Sequence, residues 1–428
     1  MKYQPIPKSL FEQNRKNFSA KMKSGSIAIF HSNDEYPRNG DHFFPFRQQS
    51  DFFYLTGIDQ EKSILILAPD HPEPNNREIL FVIKTNKQIE IWNGHKFSKQ
   101  EATEVSGIGS VKWLDEYPLV LRDMMGWAAH VYLNSYEYPK YSTDVETREL
   151  REAHALKQQF PAHSYKRSAP ILTGLRMIKS ETEIQLIRKA IDITEKALRR
   201  VLKFVKPGVM EYQIQAEMEH EFAMNGANGS AFSPIVASGA NSCVLHYTEN
   251  DKTCRDGDVV LFDFGAEYAY YAADISRTIP VNGKFTERQR RLYELVMRVQ
   301  DKAIGQMVPG NTLAEYTNFV NRTMEEEMIG IGLLDAEAVK NQDPDQPLYK
   351  EYFMHGTAHH IGLDVHDVID RHAPFKAGMI FTCEPGIYLR EEGIGIRLEN
   401  NILITDSGPL DLSAGIPRDP GEIEDLMK

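Results

Sequence analysis

Short apolar runs alternate with amphipathic helical patterns through the first 172 residues of the chain. Runs rich in β-branched and aromatic residues predict strands at 26–31, 63–68, 78–83, 88–92 and 130–133. Apolar positions at helical spacing predict helices at 11–22, 114–123 and 146–159. This alternation is typical of an α/β domain, and proline-containing dipeptides at 160–161 and 169–170 indicate where the domain ends. We therefore expect a first domain over residues 1–172.

Residues 173–428 show one pattern twice, namely two helices followed by a hairpin. The predicted first helices begin at the capping boxes Ser180/Glu183 and Thr286/Gln289, end at Pro207-Gly208 and Pro309-Gly310, and are followed by helices at about 211–224 and 313–328. The repetition predicts an internal duplication within a second domain.

The first of the two hairpins, residues 258–280, carries two aspartates inside apolar, aromatic-rich runs. A turn near residues 267–269 would place Asp263 and Asp274 opposite each other. Opposed residues of an antiparallel pair have Cβ atoms about 5 Å apart. Two like charges that close and partly buried destabilise a sheet unless a cation lies between them.

The second hairpin repeats the arrangement with glutamates. A turn at residues 391–393 would bring Glu384 opposite Glu399, and a histidine cluster lies between the two hairpins: His355, His359, His360 and His366. Four carboxylates and one histidine suit two divalent cations, because four negative charges balance two dications. Oxygen-dominated ligation favours Mn²⁺, with Co²⁺ or Zn²⁺ as substitutes. Spacing alone does not separate His359 from His360 as the ligand.

Composition narrows the function classes. The net charge of −12, from 49 basic and 61 acidic residues, argues against nucleic acid as the main partner. We find no apolar signal segment at the N-terminus and no apolar run long enough to span a membrane. Three cysteines without framework spacing favour a reducing compartment, so a cytoplasmic location is expected.

Four motifs within residues 175–407 resemble, in order, the metal-site motifs of the pita-bread metallopeptidases: DFGAEYAYYAADISRT, MHGTAHHIGLDVHD, EPGIYL and GIGIRLEN. The likeness is strongest to aminopeptidase P, whose N-terminal domain is resembled by residues 40–57 and 90–94. The resemblance implies a creatinase-like α/β domain at 1–172 and a pita-bread catalytic domain at 173–428 with a pseudo-two-fold duplication, an α/β (α+β) protein overall.

The resemblance also implies roles for individual residues. The implied ligands of two metal ions, usually manganese, are Asp263, Asp274, His359, Glu384 and Glu399. The implied substrate-binding residues are His246, His355, His366, Arg397, Tyr388, Trp92 and Asp41. Trp92 would reach the proline pocket from a neighbouring subunit, so a homodimer or homotetramer is expected. The alternative for Trp92 is a core position, since large aromatic side chains are mostly buried.

The implied activity is that of a dimetal exopeptidase that releases the residue preceding an N-terminal proline, using a metal-bridging hydroxide. Glu384 would accept the proton of water, His366 would donate to the oxyanion, and His355 with His246 would position the imide bond. A prolidase, which cleaves Xaa-Pro dipeptides, is the nearest alternative. Creatinase-like amidinohydrolases lack this ligand set. A non-catalytic peptide- or protein-binding module is the remote alternative from another class.

Overall fold

The structure is a computed structural model that describes residues 2–135, 137 and 144–428. The chain forms two compact units, each described by itself below. The N-terminal unit is Gln4–Arg176; the C-terminal unit is Met177–Lys428 together with the described residues Lys2 and Tyr3. No helix in the described parts of the chain has the length and apolarity needed to cross a bilayer.

The N-terminal unit is built on a mixed sheet whose described strands run in the order β6-β5-β4-β1-β7-β8. Its strands are β1 (Ser26–His31), β2 (Pro37–Asn39), β3 (His42–Phe43), β4 (Ile64–Leu67), β5 (Glu78–Val82), β6 (Ser110–Trp113), β7 (His130–Leu133) and β8 (Ser164–Arg167). Its α-helices are α1 (Lys8–Ser19), α2 (Ser50–Thr56), α3 (Lys87–Asn93), α4 (Lys99–Ser106), α5 (Tyr117–Trp127), α6 (Arg148–Gln159) and α7 (Ala169–Arg176). Strand β1 is antiparallel to β4 and parallel to β7. All six residues of β1 are buried, so this strand lies at the centre of the unit.

One of the predicted strands in this unit is wrong, and four short strands were missed: β2, β3, β6 and β8. Residues 88–92 form α3, because the Asn86 side chain accepts hydrogen bonds from the amides of Gln88 and Ile89 and so caps a helix. Of these, β6 and β8 are only partly buried and carry few apolar residues, and β2 and β3 are exposed, so none shows the apolar pattern of a buried strand. Trp92 is 84% exposed on α3, so the alternative that it is a core residue is also wrong.

The C-terminal unit contains the duplicated pattern. Its α-helices are α8 (Glu181–Phe204), α9 (Glu211–Met224), α10 (Glu287–Ile304), α11 (Leu313–Gly330), α12 (Ala336–Lys340) and α13 (Pro420–Leu426). Its strands are β9 (Gly229–Ser230), β10 (Ile235–Ser238), β11 (Val259–Phe264), β12 (Ala266–Tyr268), β13 (Tyr271–Ala272), β14 (Ile275–Pro280), β15 (Ile380–Cys383), β16 (Gly386–Leu389), β17 (Ile394–Arg397), β18 (Asn400–Thr405) and β19 (Gly408–Asp411). Both predicted capping boxes form, at the start of α8 and of α10.

Each half of the unit therefore has two helices followed by an antiparallel sheet. In the first half, α8 and α9 precede the sheet β10-β11-β14; in the second, α10 and α11 precede β15-β18-β19. The two sheets carry the acidic residues of the predicted site at the ends of their strands. This repeated order of helices and strands agrees with the internal duplication that the sequence predicts.

The register of the aspartate hairpin differs from the prediction by two residues. Asp263 pairs with Ser276 across β11 and β14, whereas Asp274 lies just before β14. The turn is at Ala269 and Tyr270, both with positive φ (52° and 71°), a conformation usually taken by glycine or asparagine. Alanine and tyrosine rarely adopt this conformation, so the turn predicted from the sequence lies too early in the chain. The two aspartates are diagonal neighbours rather than opposite partners.

The register of the glutamate hairpin agrees with the prediction. Gly386 pairs with Arg397 on one side, and Cys383 pairs with Asn400 on the other. Between these pairs the Leu398 amide donates to the Pro385 carbonyl (3.2 Å), so the register continues without a shift. It follows that the position of Glu384 faces that of Glu399. Gly393 at the turn has a φ of 64°, which a glycine adopts without steric cost.

Candidate metal centre

Three of the five predicted ligands form a tight group in the C-terminal unit. Oxygen or nitrogen atoms of Asp274, His359 and Glu399 all lie within 4.8 Å of one another. His359 Nε2 is 3.4 Å from an oxygen of Asp274 and 3.7 Å from an oxygen of Glu384. Both sheets of the duplicated unit thus contribute to one cluster, together with the histidine segment that connects them.

The two halves are joined beside this cluster by a side chain that sequence reasoning missed. The amide of Asn401, in β18, donates to the carbonyl of Asp274 (2.6 Å) and accepts from its backbone N–H (3.2 Å). Asn401 is fully buried, so the pair imitates two rungs of a strand ladder. On the other side, Ser276 donates its hydroxyl to Glu399 (2.8 Å). An asparagine pair in an otherwise apolar strand, Asn400-Asn401, is the sequence signal that could have indicated this contact.

The backbone around His359 selects its tautomer. Nδ1 lies 3.0 Å from the carbonyl oxygen of His360, which can only accept, so Nδ1 carries the proton. The lone pair of Nε2 is then directed toward Asp274 and Glu384. Metal-binding histidines are usually oriented by a bond of this kind from the second ring nitrogen.

The neighbouring His360 faces away from the carboxylates. It is fully buried, its ring centroid lies 4.0 Å from that of Phe381, and burial lowers its pKa well below the ordinary value. Neither of its ring nitrogens has a hydrogen-bond partner among the described residues. His360 therefore packs as a neutral aromatic side chain.

The electrostatics of the cluster favour the uptake of a cation or of protons. Burial raises the pKa of Asp274 and of Glu399 well above the usual carboxyl range, and the charges of neighbouring carboxylates raise them further. Burial also raises the pKa of Glu384, although nearby His359 and Arg397 oppose the shift. One buried oxygen of Asp263 and one of Asp274 have no hydrogen-bond partner among the described residues. Unpaired carboxylate oxygens beside an imidazole lone pair form a donor set that fits hard divalent ions.

Asp263 is connected to a separate polar chain. Its other oxygen accepts from Arg397 (2.7 Å), and Arg397 also donates to the hydroxyl oxygen of Tyr388 (3.1 Å). His355 Nδ1 must donate to the Gly356 carbonyl (2.7 Å), and burial lowers the pKa of His355 to about 4. Nε2 of the neutral ring therefore accepts from Tyr388 (2.8 Å). The predicted partners Tyr388, Arg397 and His355 thus form one directional network that ends at a predicted metal ligand.

The remaining predicted residues of the C-terminal unit lie on exposed loops. His246 is exposed and follows a short 3-10 helix, Gly239–Cys243, and the adjacent Tyr247 is buried in an apolar cluster that includes Leu261 and Tyr388. His366 is also exposed, and its ring centroid is 4.3 Å from that of His359. Both histidine rings are therefore exposed to solvent.

Two predicted site residues belong to the N-terminal unit. Asp41 is exposed in the turn between β2 and β3, where it lies 3.5 Å from the ring of His42. Trp92 is exposed beside Ile91 at the end of α3. Within their own unit neither residue is part of a cluster of site residues. Their participation in the metal centre stays a prediction.

The chain matches known proteins in both of its units. The sequence profile of metallopeptidase family M24 matches residues 185–406, and that of the aminopeptidase P N-terminal domain matches residues 11–132. Xaa-Pro aminopeptidase of Haemophilus influenzae is 35% identical over 99% of this chain and 98% of its own length. Aminopeptidase P of Escherichia coli, solved with the inhibitor Pro-Leu, superposes with a TM-score of 0.88 at 34% identity, covering 99% of both chains. Aminopeptidase PepP of Pseudomonas aeruginosa gives 0.89 at 31% identity, covering 99% and 98%.

A fold with a carboxylate-rich site of this kind defines a metallopeptidase, a class of hydrolase. The chain belongs to metallopeptidase family M24. The predicted enzyme class, the resemblance to aminopeptidase P and the α/β (α+β) fold with a pita-bread catalytic domain are confirmed.

Replacing the two adjacent histidines separately tests the assignment of the ligand. We expect His359→Ala to lower Mn²⁺ occupancy, because it removes the lone pair directed at Asp274. His360→Phe should retain the metal, because His360 already packs as an aromatic ring on Phe381. Elemental analysis of the purified variants measures occupancy. If His360→Phe loses the metal and His359→Ala retains it, the ligand has been assigned to the wrong histidine.

The raised carboxyl pKa values predict how stability depends on pH without metal. Because Asp274, Glu384 and Glu399 hold protons more tightly when folded, their contribution is fully present below the unfolded carboxyl pKa of about 4. It is lost as the pH rises through the raised folded values. We expect the Tm of metal-free protein to fall between pH 5 and pH 8, and Mn²⁺ to raise it most at pH 8.

The matched control for this pH dependence is Glu399→Gln, which removes one charge without changing size and should flatten the decline. Calorimetry at each pH, with and without metal, gives the measurement. A metal-induced increase in Tm that is larger at pH 5 than at pH 8 contradicts this account.

Proposed function

We propose that the protein is a dimetal exopeptidase that releases the N-terminal residue from peptides with proline in the second position. The observation that carries this proposal is the full-length likeness to a curated Xaa-Pro aminopeptidase, at 35% identity over 99% of the chain. The clustering of the predicted ligands in the C-terminal unit supports it. We further propose that the two compact units are the two predicted domains, 1–172 and 173–428.

The proposed ligands of the two ions are the five residues implied by the family resemblance: Asp263, Asp274, His359, Glu384 and Glu399. Their oxygen-rich donor set favours Mn²⁺, with Zn²⁺ or Co²⁺ as alternatives. Bound divalent ions would supply Lewis acidity and lower the pKa of water, so that hydroxide is present near neutral pH.

Side chains of the protein are proposed to transfer the proton and to stabilise the oxyanion. Glu384 has a raised pKa, which suits a group that must accept a proton from water and return it to the leaving imino nitrogen. Thr382 donates to the same carboxylate (3.3 Å) and so limits its rotation. His366, exposed beside His359, is proposed to donate a hydrogen bond to the developing oxyanion, a contribution typically worth several kcal/mol.

The polar network of His355, Tyr388 and Arg397 is proposed to position the substrate, together with residues on exposed loops. Both ring nitrogens of His355 are engaged within the chain, so we propose that it orients Tyr388 and Arg397 beside the proline. His246 is exposed and is proposed to contact the peptide directly. Asp41 is proposed to extend the network. An Xaa-Pro bond has no N–H to recognise, so selection must depend on the shape of the ring.

We also propose a cytoplasmic, homo-oligomeric enzyme. All three cysteines are free and buried, as suits a reducing compartment. The proposed oligomer, a dimer or a tetramer, is needed for Trp92 to reach a neighbouring subunit. Its exposure on α3, next to exposed Ile91, supports this role.

A peptide-length series tests the proposed specificity. We expect the Mn²⁺-loaded protein to cleave Xaa-Pro-Yaa and longer peptides with higher kcat/KM than Xaa-Pro dipeptides, and not to cleave Xaa-Ala-Yaa controls. Hydrolysis restricted to dipeptides would instead indicate a prolidase. Absence of hydrolysis, with no metal bound on elemental analysis, would favour a binding module.

Replacement of Trp92 tests the proposed contact between subunits. Trp92→Ala should raise KM for proline substrates, since loss of an aromatic anchor at an interface typically costs roughly 2 kcal/mol or more. Metal content and folding should stay normal, because the side chain is 84% exposed within its own unit. Steady-state kinetics with sedimentation velocity provides the readout, and Leu119→Ala, an equally apolar and exposed site on α5, is the control. An active monomer with unchanged KM contradicts both parts of the prediction.

A further inference from the structure

A fully buried ion pair lies beside the histidine segment of the metal centre. Lys179 Nζ is 2.9 Å from a carboxylate oxygen of Asp367, and each side chain is only 1% exposed. Removing two charges from water costs several kcal/mol per ion, and replacing such a pair with apolar residues is often neutral or stabilising. Stability alone therefore does not account for this pair.

The backbone of Asp367 is connected to the predicted ligand His359. The N–H of Asp367 donates to the carbonyl of His360 (2.9 Å), and that same carbonyl accepts from His359 Nδ1 (3.0 Å). One oxygen atom therefore determines both the position of the segment and the tautomer of the ligand. His366, the proposed oxyanion donor, is the residue immediately before Asp367.

Lys179 is held in place independently of this segment. Its backbone N–H donates to the carbonyl of Gly378 (2.8 Å), and the next residue, Ser180, caps the 24-residue helix α8. A helix of this length provides a rigid reference for the ammonium group. The pair thus attaches residues 361–367, a segment without regular secondary structure, to a fixed element.

Gly362 leaves room for the ion pair because it has no side chain. A Cβ on this residue would lie 2.2 Å from the carboxylate of Asp367 and 3.0 Å from Cε of Lys179. Gly362 does not need the left-handed region, so steric room is the reason that a side chain is excluded here. Lys179, Gly362 and Asp367 thus fit one arrangement, although Lys179 is distant from the other two in the sequence.

We propose that Lys179 and Asp367 are positioning residues that hold the carbonyl of His360, and through it His359, in the orientation needed to bind metal. By fixing Asp367, the pair also holds the adjacent His366 against His359. This inference rests on the proposed function, because it assigns a task to the pair only if His359 is a metal ligand.

The decisive variant is Lys179→Met/Asp367→Leu, which removes both charges and leaves neither of them unpaired. We expect it to fold with near-normal thermal stability but to bind Mn²⁺ about 10- to 100-fold more weakly, the usual cost of losing an outer-shell partner of a metal ligand. Titration calorimetry of metal-free protein gives the Kd, and circular dichroism verifies the fold. At saturating Mn²⁺ we expect kcat to remain reduced, because His366 is displaced.

A control variant separates loss of positioning from loss of stability. Arg15→Met removes a side chain that is 1% exposed and pairs with Glu78 at 3.0 Å in the N-terminal unit. It should lower the Tm while leaving the Kd for Mn²⁺ unchanged. If the double variant and this control have the same Kd as the wild type, the proposal is wrong.

A second variant tests the same role while keeping both charges. Gly362→Ala drives a methyl group into the pair and should weaken Mn²⁺ binding in the same direction, so it replaces the double variant if that protein does not fold. Wild-type protein that neither binds Mn²⁺ nor cleaves Xaa-Pro peptides would contradict the proposed function. Wild-type protein that does both, alongside a folded variant with unchanged Kd and kcat, would contradict only the positioning role.

Discussion

Repulsion among buried carboxylates is the constraint on which the C-terminal unit depends. Asp274 and Glu399 are almost fully buried, the charges of neighbouring carboxylates raise the pKa of each beyond the effect of burial, and Glu384 faces Glu399 across the second hairpin. A fold that brings these groups together loses free energy unless they take up protons or cations. The electrostatic cost of the site and its capacity to hold metal therefore have the same origin.

Specific hydrogen bonds resist this repulsion. Asn401 joins the backbone of Asp274 to the second sheet, and Ser276 donates to Glu399, so each acidic residue is attached to the opposite half of the duplicated unit. Arg277, fully buried, donates to the backbone carbonyl of Glu399 (2.7 Å). Duplication supplies two similar strand ends, and these cross-connections align them. The proposed ligands are thus held in place before a metal is bound, which reduces the reorganisation that binding requires.

Patterns with a local physical cause could be predicted from the sequence. The capping boxes predicted where α8 and α10 begin, and the glycine at the 391–393 turn predicted the register of the glutamate hairpin. The aspartate hairpin was misplaced by two residues because its turn uses Ala269 and Tyr270 in a conformation that neither favours.

Contacts between distant parts of the chain could not be predicted. Asn401 reaches Asp274 across 127 positions, and Lys179 reaches Asp367 across 188. No local pattern encodes such pairs, since each depends on the packing of two elements that meet only in the folded unit. Nor could spacing decide between His359 and His360. In the folded unit, His359 lies beside Asp274 and Glu384, whereas His360 packs on Phe381.

The most direct test of the central claim is a crystal structure of Mn²⁺-loaded protein with anomalous scattering measured at the manganese edge. The account predicts two anomalous peaks, both coordinated by side chains from the set Asp263, Asp274, His359, Glu384 and Glu399. A single peak, or peaks bound outside this set, would contradict it.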